Sequence, residues 1–523
     1  MAIANNPILK GFYPDPSICR VGEDYYLVNS TFAYVPGVPV FHSKDLANWE
    51  QIGNVLERES QLPLDEATIS RGIFAPSITY NDGTFYMITT NVSHGGNFYV
   101  TATDPAGPWS EPTFLKVPEG EDAGIDPSLF FEDGKCYYVG QHQKPDAKFY
   151  GDCEVWIQEL DLERGTLVGE GKALYAGSMK DCCWVEGPHL YHIGDYYYIT
   201  CAEMGTAFEH SISVARSKEL MGPYENYNCN PLLTHRHLGR QYPIQNIGHG
   251  ELVSTPDGHW YLAMLGTRPI DGLTQLGRET FLAEVIWEEG WPVVNPGEGR
   301  IRPEQPVALP EVPLKAGACP AWEPRTEVKF QTPLDKRILF YRHPEKDLYQ
   351  IINDREVDLK LANALPEDTK AATSYMGLRQ QSREFSLTVQ VNAESLPCGE
   401  AGLLYMHDDM NYLRLMVVKD QEELAVVVSK TEQGESQILA KQRLTEEMMI
   451  PNGAAYAELK ITGHEQNVAF WAGSKLLIEG ISVNFMTSEL AGGFVGCTYG
   501  IHAFGTNGGY AHFKNLDIDL GCN

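Results

Sequence analysis

Hydrophobic and polar positions alternate with a period of two over most of the chain, and turn formers cut the alternation every few residues. One unit returns five times before residue 300. Its copies read PSICRVGEDYYLVNS from Pro16, PSITYNDGTFYMITT from Pro76, PSLFFEDGKCYYVGQ from Pro127, PHLYHIGDYYYITCA from Pro188 and GELVSTPDGHWYLAMLG from Gly250. Each copy predicts a strand, a tight turn carrying Gly or Asp, and an aromatic-rich second strand. A further alternating strand and an edge strand opening on Trp or Tyr follow at Val38–Gly53, Asn97–Glu111 and Ser211–Glu225, with weaker versions at Cys153–Glu170 and Glu279–Val294.

The copies lie roughly 50–60 residues apart, room for four strands each, and hardly any stretch up to Pro303 has helical periodicity. Repeated four-stranded units without helices predict a five-bladed β-propeller over residues 1–305. A proline-rich segment, 306–325, reads as an extended linker lying against the surface. Beyond it the unit does not recur. Strands at Phe385–Val391, Tyr412–Val418, Leu424–Val428 and Val468–Trp471, parted by Gly, Asn or Asp, predict a β-sandwich over 326–523, jelly-roll-like, with a short helix near Thr445–Met449. The fold class is therefore all-β, a propeller followed by a sandwich.

In a propeller the innermost strand of every blade begins near the central channel, so the residues just before each repeat converge there. These residues are unlike one another: Asp15, Phe74-Ala75, Asp126, Glu186-Gly187 and His249. Taken singly, an Asp before Pro caps a turn and a lone His fills a core. Taken together, three carboxylates in one channel cannot all ionise freely, and at least one pKa must rise. A protonated carboxyl beside an ionised one is the pairing that glycoside hydrolysis requires.

Composition narrows the partners. The 523 residues are 43% hydrophobic and carry a formal net charge of −30, which repels nucleic acid and anionic membranes and allows a neutral ligand. No apolar run reaches the ~20 residues of a spanning helix. The first residues lack an export signal, and eleven cysteines without a CxxC pattern fit reduced thiols, so a cytoplasmic location is expected.

NPILKGFYPDPSICRVGEDYYLVNSTF, RGIFAPSITYNDGTFYMITTN, GIDPSLFFEDGKCYY and WVEGPHLYHIGDYYYIT together resemble glycoside hydrolase family 43, in the branch with a C-terminal sandwich domain. The resemblance covers nearly the whole chain. It implies an inverting exo-glycosidase releasing β-D-xylose or α-L-arabinofuranose from xylan-derived oligosaccharides, β-xylosidase first and α-L-arabinofuranosidase or dual activity as the alternative. It also implies Asp15 as general base, Glu186 as general acid, Asp126 as the residue tuning that acid, and Arg268 as a sugar-binding arginine. His249 resembles the family's axial histidine, which orients the site or contacts an ion. Calcium is an option there and no cofactor is required. Phe32 and Phe74 are expected to wall the sugar pocket. Many relatives have Trp where this chain has Phe74, which leaves the xylose-or-arabinose preference open. A sandwich loop is expected to close the site, with Phe504 in the Gly-rich stretch Gly500–Gly509 as its lid. Homo-oligomerisation stays open.

A sugar-binding propeller lectin is the non-enzyme alternative, but lectin blades repeat one set of binding residues, and here the channel residues differ. The fructosyl-transferring propeller enzymes need Asn-Asp-Pro-Asn, Arg-Asp-Pro and Glu-Cys motifs, where this chain has Tyr-Pro-Asp-Pro, Ile-Asp-Pro-Ser and Val-Glu-Gly-Pro. A catalytically dead scaffold is disfavoured because all three carboxylates are present.

Overall fold

The computed structural model describes residues 1–117, 123–344, 347–421, 423–450, 455–506 and 508–521. Among them, five four-stranded antiparallel sheets follow one another along the chain. Their first strands are Ser17–Val21, Ser77–Asn81, Ile125–Glu132, Glu186–Ile193 and Gln245–Ser254. Each touches the next, and the fifth returns to the first, so the sheets close into a ring of blades around an axis. The alternating pattern fills the gaps between blades: Ile78, Met87 and Val100 in one, Val139, Ile157 and Ile199 in another, Leu262, Met264 and Phe281 in a third. Each such side chain taken from water stabilises the ring by roughly 1.5–3 kcal/mol.

The ring is tied shut by the two ends of its own sequence. Ala2–Asn5 pairs antiparallel with Glu304–Val307, a strand that the composition reading divides between propeller and linker. Leu9 bridges Thr280, and the Asn6 amide donates to the carbonyls of Leu282 and Arg302 at 2.8 Å each. The proline-rich stretch is then zipped along the first blade: Val312 N–H donates to Asp45 Oδ2 at 2.8 Å, Gln51 N–H to Cys319 O at 2.8 Å, and Ala321 N–H to Trp49 O at 2.9 Å.

The second domain stacks an eight-stranded sheet on a six-stranded one. Its core interleaves Leu387, Val389 and Val391 of one sheet with Leu403, Leu415 and Val417 of the other. Where a short helix is expected near Thr445–Met449 there is a single 3-10 turn, Glu446–Met448, held by burial of Met448 in this core.

The sandwich grips the propeller near the axis. Phe340–Tyr341 pairs with Tyr34–Val35, and Ile69 N–H donates to Asp409 Oδ2 at 2.7 Å. A loop from Thr487 to Cys497, containing the one-turn helix Ser488–Ala491, reaches over the channel. Thr274 of the propeller holds both carboxylate oxygens of Glu489, at 2.7 and 2.6 Å. Ser70 Oγ accepts the N–H of Phe494 at 3.0 Å. Phe494 is thereby held at the rim of the channel.

Candidate active site

A cavity of about 460 Å3 opens at that end of the axis, and Asp15, Asp126, Glu186 and His249 all line it, with Phe32 and Phe74 in its wall. Asp15 sits just before its blade's innermost strand, Asp126 and Glu186 at the start of theirs, and His249 midway along Gln245–Ser254. Bulges there, at Ile125/Ser128, Glu186/His189 and Gly248/Gly250, break the ladder and re-aim side chains toward the axis. The backbone takes the left-handed region at Asp15, Asp126 and His249 (φ 51°, 53° and 46°) and at the lining residues Phe32 and Trp184 (φ 49° and 53°). Non-glycine residues seldom adopt it, and such strain gathers where a site demands it. Gly187 serves the same crowding: a Cβ on it would stand 2.8 Å from the His249 ring.

The carboxyl groups are held in different states. Burial pushes Asp15 upward, but Arg278, His249 and the Ser30 hydroxyl outweigh it and leave the group below the ordinary carboxylate range. Arg278 Nη1 donates to Asp15 Oδ1 at 2.7 Å, and Ser30 Oγ donates to Oδ2 at 2.6 Å. Asp15 is therefore ionised. Among the described residues no cation is hydrogen-bonded to Glu186, and Arg278 pulls its pKa down only in part. Burial, then the charges of Asp126 and Asp15, push its pKa well above the usual range. Burial and Asp15 also raise Asp126, to about 7, against the pull of the Gly187 N–H, which donates to its Oδ2 at 3.2 Å, and of Arg278. Among the described residues only Asp126 of this pair has a backbone donor for its charge, which favours its ionised form.

His249 is buried and driven toward its neutral form, to about 4, chiefly by loss of solvent. Among the described residues no group of three His, Cys, Asp or Glu side chains is arranged to hold a metal ion. Calcium takes six to eight oxygen ligands, and a single imidazole does not supply them.

Arg268 is not in this cavity. Its guanidinium makes two hydrogen bonds, of 2.6 and 2.7 Å, with the fully buried carboxylate of Glu279, which also accepts the Gly11 N–H at 2.8 Å. Two arginines line the cavity, Arg71 and Arg278, and Arg278 is the one bonded to Asp15. Strand alternation explains the exchange: Arg278 and Glu279 are consecutive and point to opposite faces, so one faces Asp15 and the other faces Arg268. Phe504 is not a lid either. It ends the strand Thr498–Phe504, paired with Glu400 inside the sandwich, and the Asn507 of that Gly-rich stretch lies outside the described residues. Phe494, from the Gly-Gly-Phe of the neighbouring loop, takes that place. Its ring stacks on Phe32 with centroids 6.2 Å apart and meets Phe74 edge-on at 6.0 Å, while Phe32 and Phe74 are 5.4 Å apart.

Other lining residues escaped the sequence reading. Thr206 and His210 lie on the loop joining the second and third strands of the fourth blade, and Tyr150 and Trp184 meet edge-on at the rim, 4.9 Å apart. Their signal was present but diffuse, since they stand in the irregular stretches between repeats.

A cup walled by three aromatic rings, with an ionised carboxylate, a protonated one and a third acidic group beside it, defines a glycoside-cleaving site. The chain belongs to glycosyl hydrolases family 43. Residues 4–292 match that family, and residues 328–519 match the beta xylosidase C-terminal concanavalin A-like domain. A xylosidase/arabinosidase of Butyrivibrio fibrisolvens is 49% identical over 513 residues, 96% of each chain. A non-reducing end alpha-L-arabinofuranosidase of Bacteroides ovatus is 36% identical over 98% of this chain and 93% of its own. Among solved structures, a xylan beta-1,4-xylosidase from Bacillus halodurans superposes with a TM-score of 0.86 at 32% identity, covering 98% of this chain and 100% of its own.

Proposed function

We propose that this glycoside hydrolase is an inverting, exo-acting pentosidase that removes β-D-xylose, and in second place α-L-arabinofuranose, from the non-reducing ends of xylan- or arabinoxylan-derived oligosaccharides. The observation that carries this reading is that Asp15, bonded by Arg278 and Ser30, and Glu186, given no hydrogen-bonded cation among the described residues, line one small aromatic cup. Asp15, ionised, draws the proton from a water that attacks the anomeric carbon. Glu186, protonated, gives its proton to the leaving oxygen, so the glycosidic bond breaks as the new C–O bond forms on the opposite face. Asp126 keeps the proton on Glu186 by the repulsion it would otherwise face. Arg278 spans both tasks, holding Asp15 charged and presenting its remaining N–H groups to sugar hydroxyls. The loop carrying Phe494 closes the cup on one side, which suits a chain end better than the middle of a polymer. Relatives named for xylosidase and arabinosidase activity support the choice of pentoses.

The test compares hydrolysis of an aryl β-xyloside and an aryl α-L-arabinofuranoside. Turnover of the xyloside at a rate equal to or above that of the arabinofuranoside is expected. Turnover of neither would overturn the reading, and a strong preference for the arabinofuranoside would move it to its second form.

A further inference from the structure

Beside the catalytic cavity lies another of about 400 Å3 that the chemistry above leaves unused. Both have Thr206, Arg278 and Phe494 in their walls. They are two lobes of one space, parted where Arg278 Nη2 donates to the Phe494 carbonyl at 3.2 Å. One wall of the second lobe is the loop from Met204 to His210. It follows the strand Tyr196–Glu203, whose Ala202 pairs with Glu186. The loop thus leaves its sheet next to the group that protonates the leaving oxygen. Thr206 lines the lobe that holds Glu186 as well as the second lobe, and Phe208 lines the second.

Phe208 is half-buried, and the Arg240 guanidinium lies 3.9 Å from its ring centre. Glu209 stands 3.6 Å from Arg240 and balances its charge. On the far side, Glu489 of the sandwich loop has both oxygens engaged by Thr274. Gln245, Asn246 and Ser488 complete the polar lining. An aromatic face, a charge-balanced planar guanidinium and neutral amides and hydroxyls suit an uncharged polyhydroxylated ring better than an ion. The C–H face packs on the apolar surface while the hydroxyls take directed hydrogen bonds.

We propose that Phe208 and Arg240 form the platform for the sugar on the leaving-group side of the scissile bond, and so set the preference for oligosaccharides over small aglycones. This rests on the pentosidase reading. The rival platform is the Tyr150–Trp184 pair, of which Tyr150 is 84% exposed.

The experiment uses the full-length enzyme and measures kcat/KM for xylotriose and for an aryl β-xyloside, with Phe208→Ala, Arg240→Ala and Trp184→Ala beside the unaltered protein. The ratio of xylotriose to aryl-xyloside kcat/KM is expected to fall about five- to tenfold, through KM, in Phe208→Ala and Arg240→Ala, and to recover in Phe208→Tyr. An unchanged ratio in both, or a fall confined to Trp184→Ala, would overturn the platform while leaving the pentosidase reading standing. An unaltered enzyme that cleaves neither substrate overturns both. Circular dichroism of each variant separates a lost subsite from a lost fold.

Discussion

Arg278 Nη1 lies 2.7 Å from Asp15 Oδ1, joining residues 263 positions apart in the sequence. The contact sets the charge of the base and reaches the acid as well, since Arg278 also pulls the Glu186 pKa downward. In Arg278→Met both effects vanish with the same sign. The residual activity should show a pH–rate profile whose acidic limb and basic limb both move to higher pH. A profile that keeps its limbs while losing only height would mean that Arg278 serves binding alone.

Asp126 acts in the other direction. Its charge raises the Glu186 pKa, so Asp126→Asn should lower it and move the basic limb downward, because the acid now gives up its proton at lower pH. The same variant relieves Asp15 of a like-charge neighbour, so the acidic limb should not rise. A basic limb that stays in place removes Asp126 from its tuning role.

Glu186→Ala separates proton donation from the rest of the reaction. With a natural oligosaccharide, whose leaving oxygen needs the proton, the loss should fall in the range of about 10²–10⁴ that general acids contribute. With a good aryl leaving group the loss should be markedly smaller. Steady-state kinetics on both substrates decides it, and equal losses would take Glu186 out of the acid role.

Arg268 and Glu279 make a structural prediction. Glu279 is fully buried and its two oxygens serve Arg268 and the Gly11 N–H. Arg268→Met removes the cation bonded to that carboxylate, a change that costs about 3–5 kcal/mol for fully buried pairs and less here, where Arg268 is 31% exposed and Lys10 and Arg383 also act on Glu279. The melting temperature should drop clearly, while the folded fraction keeps the pH limbs of the unaltered enzyme. Altered limbs with unaltered melting would return Arg268 to the sugar site.

Those two arginines mark how far the sequence reading goes. The blades were legible because inter-blade packing imposes a period of two, and tight turns demand Gly or Asp at fixed places. Asp15, Asp126, Glu186 and His249 were legible because each stands at the same point of a repeat, and repetition converts sequence position into position around an axis. Arg278 and Phe494 have no such marker. Arg278 stands just before the third strand of its blade, Glu279–Glu288, where alternation alone shows only that it and Glu279 face opposite ways. Phe494 comes from the other domain, and its approach depends on Glu489 and Ser70 contacts spanning 215 and 424 residues. Phe504 has the same Gly-rich neighbourhood, but the alternation Tyr-Gly-Ile-His-Ala-Phe before it continues a strand into the sandwich sheet.

With Asp15 activating a water and Glu186 protonating the leaving oxygen, each cleavage inverts the anomeric centre. Proton NMR of the first-formed sugar, recorded before mutarotation, tests this most directly. An aryl β-xyloside should yield α-xylose first. Initial release of β-xylose would mean a covalent intermediate on a carboxylate, and would contradict the roles given to both residues.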